Sequence, residues 1–113
     1  MQRLLLLIAL AALYPAAPAN AKTYTPTELQ ALVRAGRYPE QGDVTKTVVD
    51  RSYAACIIAL ESMVDAIHPN YPTATIASTS LLRTEKVWTN DAALTVTCDA
   101  VRNKIIITRS PYL

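Results

Sequence analysis

The chain has 113 residues, 51% of them hydrophobic and 18% charged, with two cysteines, one histidine, one tryptophan, two glycines and no phenylalanine. That inventory excludes multidomain architectures, Cys/His zinc clusters and glycine-rich phosphate loops. A formal net charge of +2, spread over scattered basic residues, leaves no electrostatic footprint for nucleic acid or for an anionic membrane.

Arg3 gives a positive start, Leu4 to Leu13 is an unbroken apolar run, and Ala19-Asn20-Ala21 supplies small residues at a cleavage site. This layout predicts a cleaved secretory signal peptide over residues 1–21. The run is far shorter than the about 20 residues a membrane span needs, so no span is expected after cleavage. No cysteine follows the cleavage motif, which argues against a lipoprotein. A single small α+β domain over residues 22–113 remains, with a periplasmic or secreted location. Loss of Arg3 lowers the formal charge by one.

In this domain Thr25-Pro26-Thr27-Glu28 reads as a helix start. Thr25 caps, Pro26 fits the first turn, and Glu28 closes a capping box. Leu29, Leu32 and Val33 form one stripe, and Gly36 suits the position past the end, so a helix is expected over Pro26–Ala35. Arg37 to Asp43 reads as a loop. Val44 to Val49, rich in valine and threonine, admits a short extended piece.

A longer helix is expected between Ser52 and His68, capped by Asp50 or Ser52 and ended by Pro69. Tyr53, Cys56, Ile57, Leu60, Met63, Val64 and Ile67 fall on one broad arc, wide enough to lie on a sheet. Beside it runs a row of small residues, Ala55, Ala59, Ser62 and Ala66, against which the first helix is expected to pack.

After Asn70-Tyr71-Pro72 the pattern changes to strands. Thr73–Thr79, Leu81–Thr89, Ala92–Ala100 and Lys104–Arg109 are the candidates. Leu94, Val96 and Cys98 alternate with Thr95, Thr97 and Asp99, the period of a half-buried antiparallel strand. Arg83, Glu85 and Lys86 interrupt Leu81–Thr89 on both parities, which reads as edge protection. Cys56 and Cys98 admit one pairing, and export favours its oxidation. Their bridge closes a loop of about 43 residues, worth near 4 kcal/mol by chain entropy. The expected fold is therefore α+β: two N-terminal helices, short then long, packed on a three- or four-stranded antiparallel sheet with one helix-to-strand disulfide.

Candidate chemistry is sparse. Glu61, Asp65 and His68 share a helix face at i, i+4, i+7, a spacing that suits either an Asp65/His68 acid–base pair or a solvated helix end with the imidazole near the dipole. A metal centre needs more converging ligands, so none is expected, and no cofactor motif is present. Tyr71, Arg83, Lys86, Trp88 and Tyr112 would form a partner surface if they met at one end of the sheet, since Trp, Tyr and Arg anchor interfaces. For Trp88 the competing reading is core, in a chain without phenylalanine. The expectation is a non-catalytic binding or envelope-accessory module whose partner is another envelope or secreted protein, or a second copy in a homodimer. A small secreted effector or an inhibitor of an extracellular enzyme fits the same features, and an enzyme using Asp65 and His68 fits them less well.

Overall fold

The computed structural model describes residues 22–113, so the signal peptide expected over residues 1–21 lies outside the described residues. The elements follow as α1 (Pro26–Arg34), β1 (Thr45–Asp50), α2 (Tyr53–Ile67), β2 (Thr73–Ser78), β3 (Leu82–Trp88), β4 (Ala92–Asp99) and β5 (Lys104–Pro111). The strands make one antiparallel sheet in the order β1-β5-β4-β3-β2.

The α+β class and the helix-to-strand disulfide are as expected, but two parts of the expectation are corrected. The sheet has five strands, not three or four, and the helices do not both precede it, because β1 lies between them. The reason is long-range pairing. Thr45–Asp50 runs antiparallel to Lys104–Arg109, so the partner that makes Thr45–Asp50 a strand arrives near the end of the chain. Local pattern alone cannot show this, because an edge strand with one neighbour keeps most of its side chains in solvent and loses the clean alternation of buried strands.

Capping sets both helix starts. At α1 the Thr25 hydroxyl accepts from the Glu28 N–H at 3.2 Å, and the Glu28 carboxylate accepts from the Thr25 N–H at 3.0 Å. That backbone bond, then the Thr25 hydroxyl, holds the Glu28 carboxyl below its ordinary range. Gly36, with φ at 72°, takes the left-handed position that lets the chain leave the helix. At α2 the cap is Ser52, whose hydroxyl accepts from the Ala55 N–H at 3.3 Å.

Helix α2 lies over β3 and β4 on one face of the sheet. Cys56, Leu60, Met63 and Ile67 bury themselves against Val87, Val96, Cys98, Ile105 and Ile107. Cys56 and Cys98 are bonded, with their Cα atoms 5.8 Å apart, which ties the first turn of the helix to the central strand. A second core sits at one end of the opposite face, where α1 inserts Leu29 among Trp88, Ala93 and Tyr112, with Val33 and Tyr24 at its margin. The first helix thus does not use the small-residue row of α2, and Ala55 and Ala66 stay exposed. The aromatic pocket of Trp88 and Tyr112 buries Leu29 completely, which a ridge of alanines would not do.

Strand β3 is an interior strand, paired to β2 on one side and β4 on the other, so its charges do not guard an edge. They divide between the two faces instead: Arg83 and Glu85 point towards α2, and Lys86 points away. No helix among the described residues is long and apolar enough to cross a membrane.

Candidate functional site

The registers resolve the sheet into rows. On the α2 side one row is Thr47, Ile107, Val96, Glu85 and Thr75, and the next is Val49, Ile105, Cys98 and Arg83. On the opposite side one row is Lys46, Thr108, Thr95, Lys86 and Ala74, and the next is Val48, Ile106, Thr97, Thr84 and Ala77. Polar side chains gather on this framework in a groove beside α2 and on the opposite face of the sheet.

The first is a groove of about 330 Å³ between the C-terminal half of α2 and strands β2 and β3, lined among others by Asp65, His68, Thr73, Thr75, Arg83 and Glu85. Glu85 is only 2% exposed. Its Oε1 accepts from the Thr75 hydroxyl at 2.7 Å and from Arg83 Nε and Nη2 at 3.2 and 3.1 Å. Arg83 Nη1 donates to Glu61 at 3.0 Å. Burial opposes the charge on Arg83, but its bonds to Glu61 and Glu85 outweigh that and raise its pKa. The helix face of Glu61, Asp65 and His68 is therefore not wholly solvated, since Glu61 is drawn into an ion pair and Asp65 and His68 edge a concave surface. The His68 ring bonds through Nδ1 to the Thr73 hydroxyl at 3.1 Å. Among the described residues no group of three or more His, Cys, Asp or Glu is arranged to hold a metal ion.

The second place is the sheet face opposite α2, which among the described residues is covered at the end where α1 sits. Its uncovered part presents half-exposed Thr84, Thr95, Thr97, Thr108 and Ile106 on the three central strands. Thr84 and Thr97 hydroxyls bond across the strands at 2.9 Å, which fixes their rotamers. Lys46 and Lys86 stand at either side of the hydroxyl row. Lys86 Nζ lies 5.1 Å from the Trp88 ring centroid, a cation–π contact. Tyr38 stacks on the same indole, centroids 5.5 Å apart and planes 17° from parallel, while remaining largely exposed.

The five residues expected to form a partner surface are thus distributed. Arg83 faces the groove, and Lys86 belongs to the open face. Trp88 is 3% exposed and serves as the buried bed on which Tyr38 rests. Tyr71 is half-buried and touches both cores. Tyr112 is fully buried, with its ring edge-on to Tyr24 at 5.2 Å and its hydroxyl shared between the carbonyls of Thr89 at 2.7 Å and Ala92 at 3.0 Å. Burial pushes its phenol above the usual tyrosine range. Tyr38 lies in a turn-forming loop that by sequence could contact a partner but looks like any connecting loop, because an exposed tyrosine there carries no periodic signal. The alternating threonines of Ala92–Asp99 were the visible trace of the open face. Comparison with family models, with curated proteins and with solved structures finds no match to this chain.

Proposed function

We propose that this protein is an exported, non-catalytic binding module, periplasmic or secreted, that docks another envelope or secreted protein on the open face of its sheet. One observation carries the reading: the sheet is braced on one side by a disulfide-bonded helix, while its other side holds an ordered, half-exposed array of threonines and Ile106 between Lys46 and Lys86. A braced surface loses little conformational entropy on association, which favours affinity. The two lysines favour a partner with an acidic patch, since complementary potential sets encounter rate and register. The disulfide is compatible with an oxidising compartment outside the cytoplasm. An inhibitor or a secreted effector would use the same face.

Site-specific photocrosslinking in the producing cell tests this. A photoreactive residue at Thr95 should give a discrete protein adduct that Lys46→Glu/Lys86→Glu abolishes. The same probe at Ile58, exposed on α2, should give none. Adducts from position 58 alone, or none from 95 under any growth condition, would sink the proposal.

A second reading, an enzyme using Asp65 and His68, is favoured by the groove in which those residues lie near buried Glu85. At Nδ1 the His68 ring meets the Thr73 hydroxyl rather than a carboxylate, so the acidic partner that would orient the imidazole as a base is not at that nitrogen. His68→Ala should leave biological activity intact; its loss with the fold preserved would favour this second reading.

A further inference from the structure

The two edges of the sheet are built differently. Strand β2 has a register irregularity between Thr75 and Ala77, which carries Ile76 out of the ladder and spoils it as a template. Strand β1 pairs with β5 without interruption from Thr45 to Asp50. It contains no proline, and Val48 and Val49 are 49% and 41% exposed.

Antiparallel strands alternate residues whose N–H and C=O both face the neighbour with residues whose groups both face away. The Arg51 N–H donates to the Asn103 carbonyl at 2.9 Å, in step with the Thr45 to Arg109 register. Odd-numbered residues of β1 therefore bond β5, and the backbone groups of Lys46, Val48 and Asp50 point outward.

We infer that β1 is a self-pairing edge that joins two copies of this protein through a two-fold axis at Val48. In that register Val48 meets its own copy, Lys46 meets Asp50 of the second copy, and Asp50 meets its Lys46. All three pairs fall on outward-pointing backbone groups. Centring on Lys46 or on Asp50 would oppose like charges. Centring on Thr47 or Val49 would set Lys46 and Asp50 opposite uncharged residues. Only the Val48 register satisfies charge and backbone together. Asp50 already pairs with Lys104 through Oδ1 and its side chain is 83% exposed, so the carboxylate keeps acceptor capacity for the second copy's lysine. The axis runs perpendicular to the sheet, so both α2 helices lie on one side and the two open faces join into one surface. Helix α2 lies over β3 and β4, which leaves the β1 edge clear for the second copy. This inference does not rest on the open face being a binding site.

Sedimentation equilibrium of the oxidised, exported protein over a concentration series tests it. A reversible monomer–dimer equilibrium is expected. Lys46→Glu and Asp50→Lys should each raise the dissociation constant at least about tenfold, because each turns two attractive cross-strand pairs into repulsive ones. The double variant Lys46→Glu/Asp50→Lys should restore it to within about threefold. Val48→Pro removes an outward N–H that serves no internal ladder bond, so it should abolish dimers while leaving the circular dichroism unchanged. A monomer at every concentration overturns the inference. So does a dimer indifferent to both single swaps, or one broken by Thr95→Lys on the open face but not by Val48→Pro.

Discussion

Arg83→Ala probes the groove most directly. Glu85 is almost wholly buried, and its Oε1 takes two of three hydrogen bonds from the Arg83 guanidinium. Hydrogen bonds to charged groups contribute about 1.5–3 kcal/mol each, and breaking one partner of a buried pair typically costs about 3–5 kcal/mol. Arg83 is itself about a quarter exposed, and water entering the groove can replace part of what is lost. A destabilisation of about 3 kcal/mol is therefore expected, a large fraction of the about 5–15 kcal/mol that holds a domain together. In a domain of this size it lowers Tm by about 12–24 °C. Urea unfolding at neutral pH, followed by circular dichroism, measures it. Two further variants separate the causes. Glu61→Gln removes only the exposed arm of the network and should cost under about 1 kcal/mol. Arg83→Ala/Glu85→Leu removes the stranded charge as well and should recover to within about 1 kcal/mol of the parent. If Arg83→Ala alone costs less than about 1 kcal/mol, or the double variant is no more stable than the single, the buried-carboxylate argument is wrong.

Three other outcomes follow from the cores and the disulfide. Cys56→Ala/Cys98→Ala releases a loop with a sequence separation of 42, and should lower the unfolding free energy by about 4 kcal/mol in urea. Leu29→Ala should cost about 2–5 kcal/mol and shift the emission of Trp88, the sole tryptophan, because Leu29 packs against it. Tyr112 has a phenol whose pKa is raised by burial, so the folded state holds its proton more tightly than the unfolded chain. Its contribution is complete below about pH 10 and is lost as pH rises above that, at up to about 1.4 kcal/mol per pH unit. Tyr112→Phe should remove that part of the alkaline slope while costing about 1–2 kcal/mol at pH 7 for the lost hydroxyl bonds; equal alkaline slopes in the two proteins would refute it.

What sequence alone determined about this protein was local. The α1 capping box, the end of α2 before Pro69 and the alternation of Leu94, Val96 and Cys98 all rest on interactions within a few residues, and each was legible from residue type and spacing, while the cap of α2 was narrowed to Asp50 or Ser52 and the structure uses Ser52. The disulfide was legible too, because two cysteines allow one pairing and both sit on apolar faces. Tertiary structure decided whatever depends on residues distant in the chain. Strand β1 exists because β5 returns beside it. Trp88 and Tyr112 became core because α1 brings Leu29 to them. Arg83 turned from an expected edge guard into the partner of a buried carboxylate because β2 closes over the outer side of β3. Periodicity reports whether a side chain will be covered; which element covers it is fixed by the chain path, and here that path divides the charges of one strand between a groove beside α2 and the open face opposite.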